Sequence, residues 1–359
     1  MKKENRYSRQ IILPEIGSSG QKKLSQASIL CIGAGGLGCP VLLYLTAAGV
    51  GKIGIIDFDT VEETNLQRQV LFTNRQIGQN KAEAAAEYLQ AINPGPTIQV
   101  YADELTDQNA VSLFKNYDII IDGTDTFAAK FLISDAAVIA GKPLVYGSVL
   151  GFDGQVSVLN HKNGPCYRCL FPAPPESYVP NCAEAGIIGA VAGITGTAQA
   201  IEAIKIILDH EDLRPISGKL WTIDTRSMQS HVFDIPKNIN CETCAKPNNE
   251  ITLHYSRKVC ENIEQILPKH VPNKKDFTLI DVRELDEWEE GHIDSAQHMP
   301  LSSLKKGILP NIPMNQKIIV FCQRGRRGQQ AATILKDQGY TKVKNMAGGY
   351  EAWLCIECD

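Results

Sequence analysis

A chain of 359 residues with 43% hydrophobic and 21% charged residues is long enough for two cores and has an ordinary globular composition. Its formal net charge of -4 excludes a general electrostatic pull toward nucleic acid or an anionic membrane. The N-terminal MKKENRYSRQIILPEIG has no long apolar run of the signal-peptide kind, so a cytoplasmic location is expected.

In chain order, SILCIG (28–33) and KIGIID (52–57) are apolar runs that predict buried strands, with a helix from about Gly36 to Ala48 between them. NKAEAAAEYLQAI predicts a helix, TIQVYA a strand, and YDIIIDGTD a strand with an acidic C-terminal edge. PLVYGSV and GQVSVLN are expected to extend the same sheet. Residues 187–208, IIGAVAGITGTAQAIEAIKIIL, are long enough to span a bilayer, but Gln199, Glu202 and Lys205 would be costly in lipid, which favours a buried core helix. The polar stretch CETCAKPNNE marks a change of domain, and the expected division is 1–247, a linker at 248–258, and 259–359. Beyond it, TLIDVRE and KIIVFC predict strands, and RRGQQAATILKDQGY a helix ending near Gly339. The fold class is therefore α/β: a doubly wound, Rossmann-like, mostly parallel sheet with ligands beyond its strand C-termini, plus a second, smaller α/β domain.

Gly33, Gly35, Gly36 and Gly38 lie in GAGGLG, a G-x-G-x-x-G loop after a strand and at the mouth of a helix. Glycines there allow a tight turn and close approach of the backbone to phosphate, and the helix N-terminus supplies free N–H groups. Asp57, ending the next strand, is spaced as a ribose-binding acid. Taken alone, these features fit an NAD-dependent dehydrogenase as well as an ATP enzyme. Asp59, Asn65, Arg68, Gln69 and Lys81 follow, and Arg and Lys together suit a triphosphate whose charge must be clamped. Asp125, in GTDT, is placed to hold Mg²⁺, although an aspartate there could also cap the following helix.

RYSRQ, GAGGLG, DFDTVEETNLQRQ, Lys81, GTD and the PCYRC and CETC pairs resemble the ubiquitin-activating-enzyme-like adenylyltransferases over roughly residues 5–245. Within that family the likeness is to the molybdopterin-synthase and thiamine-biosynthesis sulfur-carrier adenylyltransferases. The resemblance implies adenylation of the C-terminal glycine of a small ubiquitin-like carrier ending in Gly-Gly. It implies that Gly36 and Asp57 contact the nucleotide, that Asn65, Arg68 and Lys81 bind polyphosphate, and that Asp125 binds Mg²⁺. Arg9 matches an arginine that reaches into the partner subunit's site, which implies a homodimer. The family commonly carries Asn where this chain has Thr126, which keeps a hydroxyl and loses the amide.

Among the 11 cysteines, Cys166/Cys169 and Cys241/Cys244 form two C-x-x-C pairs whose four thiolates suit a closed, structural Zn²⁺ site. A redox role is weaker, since neither pair opens a helix in a thioredoxin-like pattern. Cys182 matches a family cysteine thought to take the carrier as a thioester or acyl disulfide; a small buried hydrophobe is the other reading. Cys355 and Cys358 form a third pair without an assigned role.

DVRELDEWEEGHIDSAQHMP, FCQRGRRG and NMAGGYEAW resemble a single rhodanese domain over about residues 255–355. That implies a persulfide on Cys322, in a loop made positive by Arg324, Arg326 and Arg327, loaded by a cysteine desulfurase or thiosulfate. A phosphatase-like C-x5-R loop, read onto Cys322 and Arg327 and able to bind an oxyanion, is the competitor, and the GHI and NMAGGYEAW context favours sulfur transfer. The expected function is ATP-dependent adenylation of a sulfur carrier followed by sulfur transfer from Cys322. The alternatives are an adenylating tRNA-modification enzyme, which the charge does not favour, and a nucleotide-binding scaffold.

Overall fold

The computed structural model describes residues 6–173, 186–253, 263–271 and 277–354, and leaves the Arg326 side chain undescribed. The readings made for Cys182, Cys355 and Cys358 lie outside these residues. The chain divides into two compact units, residues 1–255 and 256–359.

The first unit begins with helices α1 (Ser8–Ile11) and α2 (Gly17–Gln26). There follow β1 (Ser28–Ile32), α3 (Gly38–Ala48), β2 (Lys52–Ile56), α4 (Lys81–Ile92), β3 (Thr97–Tyr101), α5 (Ala110–Phe114), β4 (Ile119–Asp122) and α6 (Phe127–Ala140). The remainder comprises β5 (Leu144–Leu150), β6 (Asp153–Leu159), α7 (Tyr167–Leu170), α8 (Gly189–Leu208), β7 (Lys219–Asp224) and β8 (Gln229–Asp234). The eight strands form one sheet in the order β3-β2-β1-β4-β5-β6-β7-β8. The pairings from β3 to β5 are parallel, and β6 to β8 continue the sheet antiparallel. Strand order reverses between β1 and β4, so the loops leaving these two strands flank the crevice where doubly wound sheets bind ligands.

Alternate residues of β1 explain the two-layered core. Ile29 and Cys31 pack with Leu42, Leu45 and Ala203 on one face, whereas Leu30 and Ile32 pack with Phe131, Ala136 and Phe114 on the other. A strand covered on both faces is mostly apolar, as SILCI and IIID are between Ser28 at the start of one and Asp122 at the end of the other. Helix α8 is long and apolar enough to cross a bilayer by length and composition, yet it lies on the sheet. Its buried Gln199 donates to Asp122 O (2.8 Å) and Val145 O (3.2 Å), and Glu202 accepts from Ile216 N (2.8 Å).

Two glycines shape the β1–α3 loop. Gly33 has φ +89°, a left-handed conformation open to glycine. A Cβ on Gly38 would lie 1.9 Å from Gly33 O, a backbone atom that cannot swing away. Gly38→Ala is therefore expected to cost at least about 1–3 kcal/mol by overpacking. Thermal unfolding with and without ATP checks this: an unchanged Tm and nucleotide response would show that the loop relaxes freely.

The second unit contains β9 (Glu264–Ile266), β10 (Thr278–Asp281), α9 (Leu285–Glu289), β11 (Ala296–His298), α10 (Leu301–Lys305), β12 (Lys317–Phe321), α11 (Arg326–Asp337), β13 (Lys342–Met346) and α12 (Gly349–Leu354). Its five strands are all parallel, in the order β11-β10-β12-β13-β9. Here too alternate residues divide between layers: Ile318 and Val320 pack with Leu335, and Ile319 and Phe321 with Met346.

Candidate functional site

In the first unit the glycine loop and its neighbours form a cradle at the switch point. Ala34 N donates to Asp57 Oδ2 (2.8 Å), and Asp59 N to Asp57 Oδ1 (2.9 Å), so the acid after β2 fixes the loop after β1. Burial pushes the Asp57 carboxyl above the usual range, against the pull of Lys81 and these two N–H groups. The Arg68 side chain lies 3.6 Å from where a Gly36 Cβ would be, and the Gln69 amide nitrogen 3.8 Å from that of Gly35. Gln69 is buried, and its Oε1 has no hydrogen-bond partner. Such an atom in a cradle that side chains would fill fits a polar ligand bearing donors, such as a nucleotide.

Lys81 is not presented as a bare cation: its Nζ bonds Asp59 Oδ2 at 2.9 Å. Asn65 is buried and its Oδ1 accepts from Glu62 N (3.1 Å), closing a capping box, while Arg68 Nη1 donates to Thr64 O (3.0 Å). Asn80, which sequence reasoning passed over, caps α4 by accepting from Ala82 N and Glu83 N and donates to Asp57 O (3.0 Å). An Asn directly before an apolar-periodic run was the available signal. Arg9 is exposed on α1.

The loop after β4 corrects one alternative. The helix cap is Thr126, whose hydroxyl accepts from Ala129 N (3.3 Å), and not Asp125. Asp125 is exposed beside it, a single carboxylate suited to an oxygen-seeking cation. Beneath the loop runs a pair that sequence reasoning missed. Lys130 Nζ bonds Asp122 Oδ2 (2.8 Å), Thr124 O (2.9 Å) and Gly147 O (2.7 Å), with side-chain exposures of 4% and 1% for the two ions.

The four cysteines of the two C-x-x-C pairs come together, with all Sγ atoms within 4.8 Å of one another. Adjacent Sγ separations are 3.5 Å for Cys166–Cys241 and Cys169–Cys244 and 4.0 Å for Cys166–Cys169. Tetrahedral zinc with bonds of about 2.3 Å places its sulfurs about 3.8 Å apart, so the set fits. The backbone N–H of Asn238 donates to Cys169 Sγ at 3.4 Å, the outer contact expected of a thiolate ligand.

In the second unit Cys322 follows β12 and is buried, with Gly325 at φ +88° capping α11. The loop is less positive than its sequence implies. Arg324 is paired with Glu351 (Nε to Oε1 2.9 Å), and Arg327 is held by both carboxylate oxygens of Glu287. Glu287's hydrogen bonds raise the Arg327 pKa, and Arg327 in turn holds Glu287 below the usual carboxylate range. The nearby Cys322 sulfur raises the Arg327 pKa too, by less than Glu287 does. The phosphatase-like reading fails on spacing: four residues separate Cys322 from Arg327, one fewer than a C-x5-R loop requires. Sequence reasoning also passed over Arg283. Fully buried, it forks onto Asp281 (Nη2 to Oδ2 2.7 Å), donates to Gln323 Oε1 (3.1 Å) and Gly291 O (2.7 Å), and thereby braces the residue after Cys322.

A doubly wound sheet with a glycine cradle at its switch point, a four-cysteine cluster and a separate parallel unit bearing a strand-end cysteine give an α/β protein with a nucleotide-type cradle in one unit and a cysteine loop in the other. Residues 7–243 match the ThiF family and residues 265–354 the rhodanese-like domain. The chain is 38% identical over 380 residues to adenylyltransferase and sulfurtransferase MOCS3 of Culex quinquefasciatus, covering 97% of this chain and 86% of that protein. It is 44% identical over 246 residues to the sulfur carrier protein adenylyltransferase of Thermus thermophilus, covering 67% of this chain and 90% of that protein. Among solved structures, Escherichia coli MccB shares the fold of the first unit, with a TM-score of 0.60 and 25% identity over 68% of this chain and 73% of that one. The protein belongs to the ThiF family and carries a C-terminal rhodanese-like domain.

Proposed function

We propose that the first unit adenylates the C-terminal glycine of a ubiquitin-like sulfur carrier and that Cys322 then delivers sulfur to it. The observation that carries this reading is one chain holding both the glycine cradle with its orphaned Gln69 Oε1 and the Arg-flanked Cys322 loop. Asp57 fixes the loop and offers its remaining lone pairs to the ribose, with Gly33, Gly35, Gly36 and Gly38 leaving room for phosphate. Asn65 and Gln69 orient polyphosphate oxygens. Arg68 and Lys81 neutralise them, Lys81 exchanging Asp59 for phosphate when ATP arrives. Asp125 would hold Mg²⁺, which would supply charge neutralisation for the leaving pyrophosphate. A carrier carboxylate oxygen attacks the α-phosphorus, the bond to the bridging oxygen breaks, and acyl-adenylate and pyrophosphate form.

The terminal sulfur of a Cys322 persulfide then attacks the acyl carbon and AMP leaves, giving an acyl disulfide on Cys322. A thiol of an external reductant attacking Cys322 Sγ expels the thiocarboxylate and leaves a mixed disulfide that a second reductant thiol opens; Cys182 is proposed, from the family resemblance, to take the activated carrier as a thioester or acyl disulfide. Cysteine desulfurase or thiosulfate supplies the persulfide sulfur. Zn²⁺ on Cys166, Cys169, Cys241 and Cys244 is structural, since four thiolates leave no open position. A second copy of the chain completes the site through Arg9. An apolar groove between α3 and α8, with Tyr44, Val70, Ile194 and Ile201 exposed along it, supports such pairing.

ATP–[³²P]pyrophosphate exchange against a panel of ubiquitin-like proteins ending in Gly-Gly tests the reading. Exchange dependent on one carrier is the expected result. No exchange with any carrier, from folded zinc-loaded protein, would overturn it.

A further inference from the structure

Both cysteine pairs are tied to a single carboxylate that belongs to neither. Arg168 lies between Cys166 and Cys169, and its guanidinium forks onto Asp135: Nε to Oδ1 at 3.0 Å and Nη2 to Oδ2 at 2.8 Å. Thr243 lies between Cys241 and Cys244, and its hydroxyl donates to the same Asp135 Oδ1 at 3.0 Å. Asp135 and Thr243 are each 3% exposed. The neighbouring α6 residue, Ser134, accepts from Tyr167 N at 3.1 Å, so the first pair is fastened to α6 twice. The two pairs are more than 70 residues apart in sequence, as the 75-residue separation of Cys166 and Cys241 shows, and α6 is the element on which they meet.

We propose that Asp135 is the shared positioning residue of the four-cysteine cluster, holding both C-x-x-C loops on α6 so that four thiolates are presented as one ligand set. The proposal rests on the zinc reading above. Four thiolates around a divalent cation leave a net charge of about −2 on the cluster, which is costly in a half-buried place without a counter-charge. The Arg168–Asp135 pair offsets part of that cost by turning its positive end toward Cys166 and Cys241. Asp135 fixes where the guanidinium points, which a flexible arginine would not do unaided. The carboxylate touches none of the sulfurs and acts through the residues set between them, Arg168 and Thr243; partners outside the ligand set alter metal affinity by about 10–100-fold.

The test uses the full chain loaded with zinc and follows metal release to 4-(2-pyridylazo)resorcinol. Asp135→Asn is expected to weaken zinc retention by about 10–100-fold, and Arg168→Gln and Thr243→Val, each removing one arm, by less. Thermal unfolding of the apo and zinc-loaded forms separates positioning from general stability. The proposal expects the variants to lose the increment that zinc adds to Tm, whereas a merely structural role would lower both forms equally. Should Asp135→Asn fail to fold, the two single-arm variants decide the matter by the same measurements. Zinc-loaded wild type with variants that release metal at its rate overturns the proposal alone. A wild-type chain that takes up no zinc removes the underlying reading with it.

Discussion

Replacing Cys322 with alanine is expected to lower sulfur transfer to the carrier by about a thousandfold or more, while ATP–pyrophosphate exchange stays within about twofold of wild type. The first part follows from chemistry, since alanine has no sulfur to carry. The second follows from architecture: Cys322 sits in a unit with its own parallel sheet and its own apolar layers, whereas the glycine cradle is built from β1, β2 and the loops after them. Removing one buried sulfur leaves a void near methyl size, costing about 1 kcal/mol, too little to unfold a packed layer. Carrier thiocarboxylate measured by mass spectrometry and exchange measured on the same preparation check both halves. Loss of both activities in folded protein would show that Cys322 serves adenylation as well, and the division of labour would fall.

The sequence was legible where local physics decides the outcome. SILCI and IIID are apolar apart from Ser28 at the start of one and Asp122 at the end of the other, because both faces of their strands are covered, and GAGGLG was readable because only glycine survives where Gly33 and Gly38 nearly touch. The paired cysteines were readable by spacing. Features made by distant partners were not. Arg327 reads as one more positive charge on a loop until the fold brings Glu287 to it from 40 residues away. Asp135 reads as an ordinary helix residue, since neither Arg168 nor Thr243 is near it in sequence. The β7–β8 hairpin escaped notice for a different reason. Its outer strand, QSHVFD, is exposed at every residue, so it shows neither an apolar run nor a covered face to betray a strand.

Lys130 is the sharpest such case and gives the second large effect. On a helix read from sequence it is a solvated cation, but in the fold it is sealed in with Asp122 beneath the loop that presents Asp125. Burial works against its ammonium, yet Asp122 outweighs that cost and leaves the pKa above the ordinary lysine value. A folded-state pKa raised in this way stabilises fully below the unfolded value of about 10.4 and is lost only as pH rises through the folded one. The pair is therefore intact across the neutral range. Lys130→Met leaves the Asp122 carboxylate buried with Thr124 N and Oγ1 as its donors among the described residues, at a cost of about 3–5 kcal/mol. For a unit of this size that is a fall of order 10 °C in Tm. Removing the orphaned charge as well, in Asp122→Asn with Lys130→Met, is expected to recover part of the loss, because the penalty lies in the unpaired ion more than in the missing bond. Calorimetry of the two variants against wild type decides this. A Lys130→Met chain within about 1 kcal/mol of wild type would mean that water or a neighbouring donor replaces the ammonium, and that the floor of the Asp125 loop is not held by this pair.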